Sequence, residues 1–148
     1  MRLVSLKIEG RSPSGWSSDT LYFGERVTQL FGKNGCGKTP LVQSIVYALG
    51  YKVDFRDELV AHCESVVLEV ASDTRKFSIR RRFHGQFSVS VWEVDSAPVE
   101  FLNEREYSAF LLSLWGVEDP VVTTVGSVAT HMYSCLLYTS LSGLARQT

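Results

Sequence analysis

Eight consecutive residues, 32–39, have the types and the spacing of a phosphate-binding loop. Their sequence, G-K-N-G-C-G-K-T, fits the pattern G-x-x-x-x-G-K-[ST], whose fixed positions here are Gly32, Gly37, Lys38 and Thr39. Glycines let the backbone curve around a phosphate with its N–H groups pointing inward, and a helix that follows adds the positive end of its dipole. The variable positions, which would contribute backbone amides, are Lys33, Asn34, Gly35 and Cys36.

Two side chains of this loop carry the rest of the expected chemistry. The ammonium of Lys38 would reach the β- and γ-phosphates of a nucleotide as a point charge. The hydroxyl of Thr39 would coordinate Mg²⁺, an ion that prefers oxygen ligands and phosphate. The sequence therefore predicts a binding site for ATP with Mg²⁺.

The elements on either side of the loop have to position it. Residues 26–31 predict a strand that leads directly into the loop. From Lys38 onward, apolar residues recur at helical spacing as far as Leu49, and Gly50 stands where a helix C-cap is expected. Pro40 falls in the first turn of this helix, where a proline costs little. The predicted order is strand, loop, helix.

Further strands are predicted by alternating apolar residues and short turns. One covers residues 3–8, and another lies near residues 21–23. Three strand-like runs follow the loop helix, at residues 65–70, 76–83 and 87–94. Because the connections between these three are short, they favour an antiparallel meander.

A last helix is predicted after the meander. Asn103 can cap it, and Gly116 would end it. Its apolar face would consist of Phe110, Leu111, Leu114 and Trp115. The predicted fold class is α/β, with a strand, a P-loop and a helix beside an antiparallel meander.

Length and composition exclude several classes of protein. The chain has 148 residues, of which 45% are hydrophobic and 21% are charged, and these values exclude a disordered, collagen-like or membrane-spanning protein. The net charge of −1 gives no global signal for binding to nucleic acid or to an anionic membrane.

The cysteines and the N-terminal residues predict the compartment. Cys36, Cys63 and Cys135 are an odd number at irregular spacing without a C-x-x-C pair, which indicates a reduced, intracellular protein. The first ten residues lack the apolar core of a secretion signal, and no stretch reaches the roughly 18 apolar residues that cross a bilayer. We therefore expect a cytoplasmic protein that makes no contact with a membrane.

Charge is distributed unevenly along the chain. Residues 1–120 contain 14 of the 15 Lys and Arg and all 16 Asp and Glu, whereas residues 121–148 contain only Arg146. We therefore expect an ATP-binding unit over residues 1–120 and a low-charge tail over residues 121–148. Three hypotheses account for the low charge of this tail: it packs against a partner, it packs against a further part of the chain, or it is a non-native end. The last hypothesis is favoured from about Cys135 onward.

The loop and its neighbours resemble a known family. Asn34 and Gly35 within G-x-N-G-x-G-K-[ST], an N-terminal strand that closes at residues 8–12, and the helix sequence at residues 43–50 are similar to the N-terminal lobe of ABC-type P-loop ATPases. The resemblance is to the SMC, RecF and RecN kind, also described as AAA family ATPases, and extends from Met1 to about Trp115.

The resemblance implies a function for the whole assembly. It implies that Arg11 and Ser12 contact the nucleotide, and that a C-terminal lobe supplies the signature motif, the Walker B carboxylates and the switch histidine. Two such heads would close around two ATP molecules, and this closure would regulate the engagement of DNA in repair, maintenance or defence. The implied partners are therefore ATP, the C-terminal lobe or a second head, and DNA.

Acidic residues for ATP hydrolysis are not evident. A Walker B strand is a run of apolar residues that ends in Asp, and the nearest segments, residues 66–69 and 91–93, alternate with polar residues as hairpin strands do. Residues 141–147 echo a signature motif, but Leu144 stands at its second glycine. We therefore expect this chain alone to bind ATP without turnover, and hydrolysis to need the completing lobe.

Two other functions stay open. The chain could be a P-loop kinase of small molecules or nucleosides, for which residues 80–82 are the only candidate lid arginines, or an interaction domain with a vestigial loop. The same arginine run allows two interpretations. Arg80 and Arg82 either form a strip that faces nucleic acid, or they lie on a solvated strand face paired with Glu69 or Glu93, while Arg81 lies on the opposite, apolar face.

Overall fold

The computed structural model describes residues 2–72 and 75–114. The helices in this part are α1 (Lys38–Ala48), α2 (Asp57–His62) and α3 (Glu104–Leu114). The strands are β1 (Arg2–Gly10), β2 (Leu21–Tyr22), β3 (Cys63–Ser72), β4 (Arg75–Arg82), β5 (Val89–Glu93) and β6 (Val99–Phe101). They form one six-stranded sheet in the order β2-β1-β3-β4-β5-β6, and every neighbouring pair is antiparallel. The predicted α/β class and the antiparallel meander are confirmed.

The register of the sheet places apolar residues side by side on one face. Leu6 is opposite Leu68, Leu68 is opposite Ile79, and Ile79 is opposite Val91. All four are buried, because alternate residues of a strand point to the same face. This row packs in one hydrophobic cluster with Ala48 of α1, with Leu49 directly after α1, and with Tyr107 and Leu111 of α3.

The other face of the sheet carries a hydrogen-bonded polar network. Ser65 Oγ donates to Glu9 Oε2 at 2.8 Å, and Arg80 Nε lies 3.2 Å from the same carboxylate oxygen. Ser5 Oγ donates to Glu69 Oε2 at 2.5 Å. The prediction that Arg80 pairs with Glu69 or Glu93 is wrong. Glu69 accepts from Ser5 instead, and Glu93 pairs with Arg75 where β4 begins and β5 ends.

The ends of the two predicted helices follow their capping residues. Asn103 Oδ1 accepts the backbone N–H of Glu106 at 2.8 Å, which confirms the N-cap of α3. Gly50 follows α1 with φ of 98°, the left-handed conformation expected after a helix. Trp115 and Gly116, the predicted end of α3, lie outside the described residues.

The predicted strand over residues 26–31 is wrong. Between β2 and α1 the described chain is irregular, and the Gly24 N–H donates to Thr28 Oγ1 at 2.8 Å. Val27 and Phe31 are about four-fifths exposed, at 80% and 81%. A β-prone sequence becomes a strand only where a neighbouring strand takes its hydrogen bonds, and no described strand lies beside this segment.

The sequence interpretation did not include two short elements. The six-residue helix α2 begins with Asp57 and Glu58 in its first turn, which suits the positive helix end. The three-residue strand β6 forms one edge of the sheet. None of the described helices has the length and apolar character needed to cross a bilayer.

Candidate functional site

The predicted loop bends into α1 through two glycines in the left-handed conformation. Gly35 has φ of 85° and Gly37 has φ of 86°, values that residues with a side chain rarely adopt. Gly37 is the N-cap of α1, and its carbonyl accepts the N–H of Leu41 at 3.2 Å. A Cβ atom at either glycine would have nothing within 4 Å. These two glycines are therefore required by backbone conformation and not by lack of space.

Lys38 folds back across this loop. Its Nζ donates to the carbonyl oxygens of Gly32 at 2.6 Å and Lys33 at 2.8 Å, and lies 3.7 Å from Cys36 Sγ. The first residue of α1 thus brings its charge back to the first residue of the loop, six positions earlier. The loop and its lysine therefore form one local unit.

The remaining loop residues are open to solvent. The residues from Gly32 to Cys36 are exposed, and so is Thr39 in the first turn of α1. The N–H of Cys36 donates to the carbonyl of Lys33 at 3.3 Å, which closes a turn at residues 33–36. Asn34 and Gly35 occupy the two central positions of this turn.

Arg11 and Ser12 form a different turn, immediately after β1. The N–H of Arg11 donates to the carbonyl of His62 at 3.0 Å, and the carbonyl of Ser12 accepts from the N–H of Gly15 at 2.8 Å. Ser12 Oγ lies 3.0 Å from Ser14 Oγ. The bond to His62 holds the turn on the end of α2, and the side chains of Arg11 and Ser12 are exposed. The structure brings Lys38 to the loop, and it places Arg11 and Ser12 in contacts of their own.

The chain matches no family model, no curated protein and no solved structure. The candidate site therefore rests on the loop sequence and on its geometry.

The far end of α1 is bound by two residues that the sequence interpretation did not assign to the site. Arg81 Nη1 donates to the carbonyls of Tyr47 at 2.6 Å and Tyr51 at 3.0 Å. Tyr107 Oη donates to the carbonyl of Ala48 at 2.8 Å. The available signal was the alternation of β4, which places Arg81 on the same face as Phe77 and Ile79.

Burial shifts the pKa values of these side chains. It lowers the pKa of the Arg81 guanidinium, which is only 6% exposed, because the charged form loses solvation. It raises the pKa of the Tyr107 phenol, and it raises that of Tyr47, where the charge of Arg81 acts in the opposite direction. Arg81 therefore places a cation, and Tyr107 a neutral phenol, at the carbonyl end of α1.

Metal binding by this part of the chain would depend on few protein groups. Among the described residues, no group of three or more His, Cys, Asp or Glu side chains is placed to hold a metal ion. The carboxylates of the two Walker B candidates accept hydrogen bonds within the sheet, Glu69 from Ser5 and Glu93 from Arg75. The Thr39 hydroxyl, in the first turn of α1, is an oxygen ligand of the type that Mg²⁺ binds.

Proposed function

We propose that this chain binds Mg-ATP at residues 32–39 and is the N-terminal lobe of an SMC/RecF/RecN-like ATPase. The observation that carries the proposal is the position of the Lys38 ammonium, held at the carbonyls of Gly32 and Lys33 at the start of α1. A lysine in this place puts a full positive charge beside the positive end of the helix dipole. Phosphate is the ligand that suits this combination.

The chain has two kinds of donor for a phosphate group and one side-chain ligand for its Mg²⁺. The N–H groups of Lys38 and Thr39 lie in the first turn of α1, where a helix leaves its amides without an internal acceptor. The ammonium of Lys38 has three N–H donors and can exchange a loop carbonyl for a phosphate oxygen. Thr39 is exposed, and its hydroxyl suits Mg²⁺.

The wider role rests on the family resemblance. Hydrolysis of the γ-phosphate releases the free energy that such ATPases couple to work on DNA, and it needs an acidic residue at the magnesium site. We propose that a C-terminal lobe supplies this residue and that ATP binding joins two heads into a dimer. The whole protein would then couple ATP binding and hydrolysis to DNA repair, maintenance or defence in the cytoplasm.

The kinase alternative receives less support from the arginine run. A lid arginine has to move onto the transferred phosphate, but Arg81 is buried against two carbonyls and Arg80 pairs with Glu9. Phosphate transfer from ATP to a small acceptor would establish this alternative. The absence of any nucleotide binding would instead favour an interaction domain with a vestigial loop.

Isothermal titration with Mg-ATP tests the proposed function. We expect Lys38→Ala to bind roughly ten- to a hundredfold more weakly than the wild type, because a charge-assisted hydrogen bond to phosphate is lost. Lys52→Ala is the matched control, since it removes an equal charge from an exposed lysine beyond the end of α1. Equal affinity of the wild type and Lys38→Ala, or an equal loss in both variants, would refute specific binding at the loop.

A further inference from the structure

The helix that follows the P-loop is held mainly in its second half. The buried residues of α1 are Ser44 and Ala48, whereas Lys38, Thr39 and Pro40 in the first turn are half-buried or exposed. Gly37 provides no side-chain cap at the N-terminal end. Leu41, nearer the loop, is only partly buried against the core, so the direction in which α1 presents the P-loop depends mainly on what holds its C-terminal half.

Arg81 makes several of these contacts. Its guanidinium crosses from β4 to donate to the carbonyls of Tyr47 and Tyr51, and its Cζ lies 3.9 Å from the centre of the Tyr47 ring. The ring of Phe87 is on another side, with its centre 4.9 Å from Cζ. A planar guanidinium that stacks on a ring and binds two carbonyls fixes both the position and the rotation of the helix end.

Tyr107, in α3, contacts the same end of α1. Its hydroxyl binds the carbonyl of Ala48, and its ring lies against Gly50, where an added Cβ would be 3.3 Å from Cδ1 of the ring. Tyr107 is completely buried. The C-terminal carbonyls of α1 are thus bound by β4 through Arg81 and by α3 through Tyr107.

Small rotations at this end become large displacements at the loop. Ala48 follows Lys38 by ten residues, which is about 15 Å of helix at 1.5 Å per residue. A tilt of roughly 4° at the held end therefore moves Lys38 by about 1 Å, since a helix behaves as a rigid element. A misplacement of about 1 Å is enough to weaken a positioned binding group.

We propose that Arg81 is a positioning residue for the P-loop: by fixing the C-terminal end of α1 on β4, it sets the place of Lys38 and Thr39 at the other end. This inference rests on the proposed function for its effect on ATP. Arg81 would thus act on the loop through α1 and not by direct contact with it.

Arg81→Met tests the inference, because it keeps an unbranched apolar chain and removes the N–H donors. Arg80→Met is the matched control, since it removes the neighbouring arginine from the opposite face of the same strand. Both are titrated with Mg-ATP at a temperature at which circular dichroism shows the wild type and both variants to be fully folded. We expect a Kd roughly three- to thirtyfold higher for Arg81→Met and no change for Arg80→Met. An unchanged Kd in folded Arg81→Met would overturn the inference.

Amide hydrogen exchange provides a second test that needs no nucleotide. We expect Arg81→Met to speed exchange of the Leu41 amide, in the first turns of α1, relative to the amides of β3. A purely local role would speed only the amides at the far end, those of Leu49 and Tyr51, and that result would overturn the inference. If the wild type binds no Mg-ATP, the proposed function fails, and the exchange measurement still decides whether Arg81 positions the loop.

Arg81→Lys serves if the methionine variant does not fold. Lysine keeps the charge but cannot stack on Tyr47 while binding two carbonyls in a fixed plane. We expect an intermediate rise in Kd and an intermediate rise in the exchange of Leu41. Wild-type values of both quantities in folded Arg81→Lys would overturn the inference.

Discussion

The thiol of Cys36 lies where a side chain on Gly32 would have to be. A Cβ atom built on Gly32 would stand 2.4 Å from Cys36 Sγ and 3.9 Å from Lys38 Nζ. A side chain at Gly32 would therefore force the Cys36 thiol to move, whereas Gly35 and Gly37 are required for their positive φ. The absence of a side chain thus matters for contact at Gly32 and for backbone conformation at Gly35 and Gly37. The two effects can be tested separately.

The first prediction concerns the pair Gly32 and Cys36. We expect Gly32→Ala to weaken the binding of Mg-ATP because the new methyl group displaces the thiol or the loop backbone. Cys36→Ala is expected to bind normally, since the thiol itself has no assigned role. In the double variant the clash is absent, so binding should recover in part, with a coupling energy of about 0.5–3 kcal/mol for residues in contact. Strictly additive losses in isothermal titration would contradict this interpretation.

The second prediction concerns Gly37, with Gly85 as its control. Gly85 has φ of 82° in the turn between β4 and β5, and an added Cβ at either glycine would meet nothing within 4 Å. Alanine at either position should lower the free energy of unfolding by about 1–2 kcal/mol because of the left-handed backbone. Only Gly37→Ala should also weaken the binding of Mg-ATP.

Urea unfolding and nucleotide titration of both glycine variants check this prediction. Equal effects of Gly37→Ala and Gly85→Ala on nucleotide affinity would mean that the loop conformation has no specific part in binding.

The third prediction concerns stability at high pH. Burial raises the pKa of Tyr107 above the value of about 10 that a tyrosine has in an unfolded chain. The folded protein therefore favours the neutral phenol. The stability that this provides is complete below about pH 10 and falls by about 1.4 kcal/mol per pH unit above it, because only the unfolded chain then loses the proton.

Tyr107→Phe separates this effect from the hydrogen bond. At pH 7 the variant should be about 1 kcal/mol less stable, since the bond to the Ala48 carbonyl is lost. Above pH 10 the difference from the wild type should shrink and then reverse. Urea unfolding from pH 7 to pH 11.5 measures it, with Tyr22→Phe, at an exposed ring, as the control that should stay parallel to the wild type. A constant difference for Tyr107→Phe would be inconsistent with a buried phenol.

The fourth prediction concerns turnover. We expect the purified chain to release no phosphate from Mg-ATP above the background of Lys38→Ala, because the carboxylates of Glu69 and Glu93 are engaged in the sheet and the described residues offer no other Walker B acid. A phosphate-release assay at saturating nucleotide measures it. Hydrolysis by the wild type that is abolished in Lys38→Ala would show that the chain contains its own catalytic acid.

The loop, most strands and two helices of this protein could be predicted from the sequence because each depends on residues close together in the chain. Lys38 contacts carbonyls five and six positions away, Asn103 caps an amide three positions away, and the strands alternate residue by residue. The strand predicted at residues 26–31 was wrong because it depended on contacts that are distant in the chain. Its sequence suits a strand, but strand formation depends on a neighbour that no local pattern provides.

The sequence by itself determined the glycine-rich loop before α1, the antiparallel meander and the apolar face of the sheet, since periodicity and caps act over a few residues. Only the tertiary structure decided that Arg80 pairs with Glu9, 71 positions away, and that Arg81 binds the end of α1, 34 positions away. The order of the strands in the sheet determines which of these distant residues lie close enough to bind each other. The alternation of the strand predicts that Arg81 lies on the apolar face, but only the packing of α1 against β4 gives its guanidinium the carbonyls of Tyr47 and Tyr51 as partners.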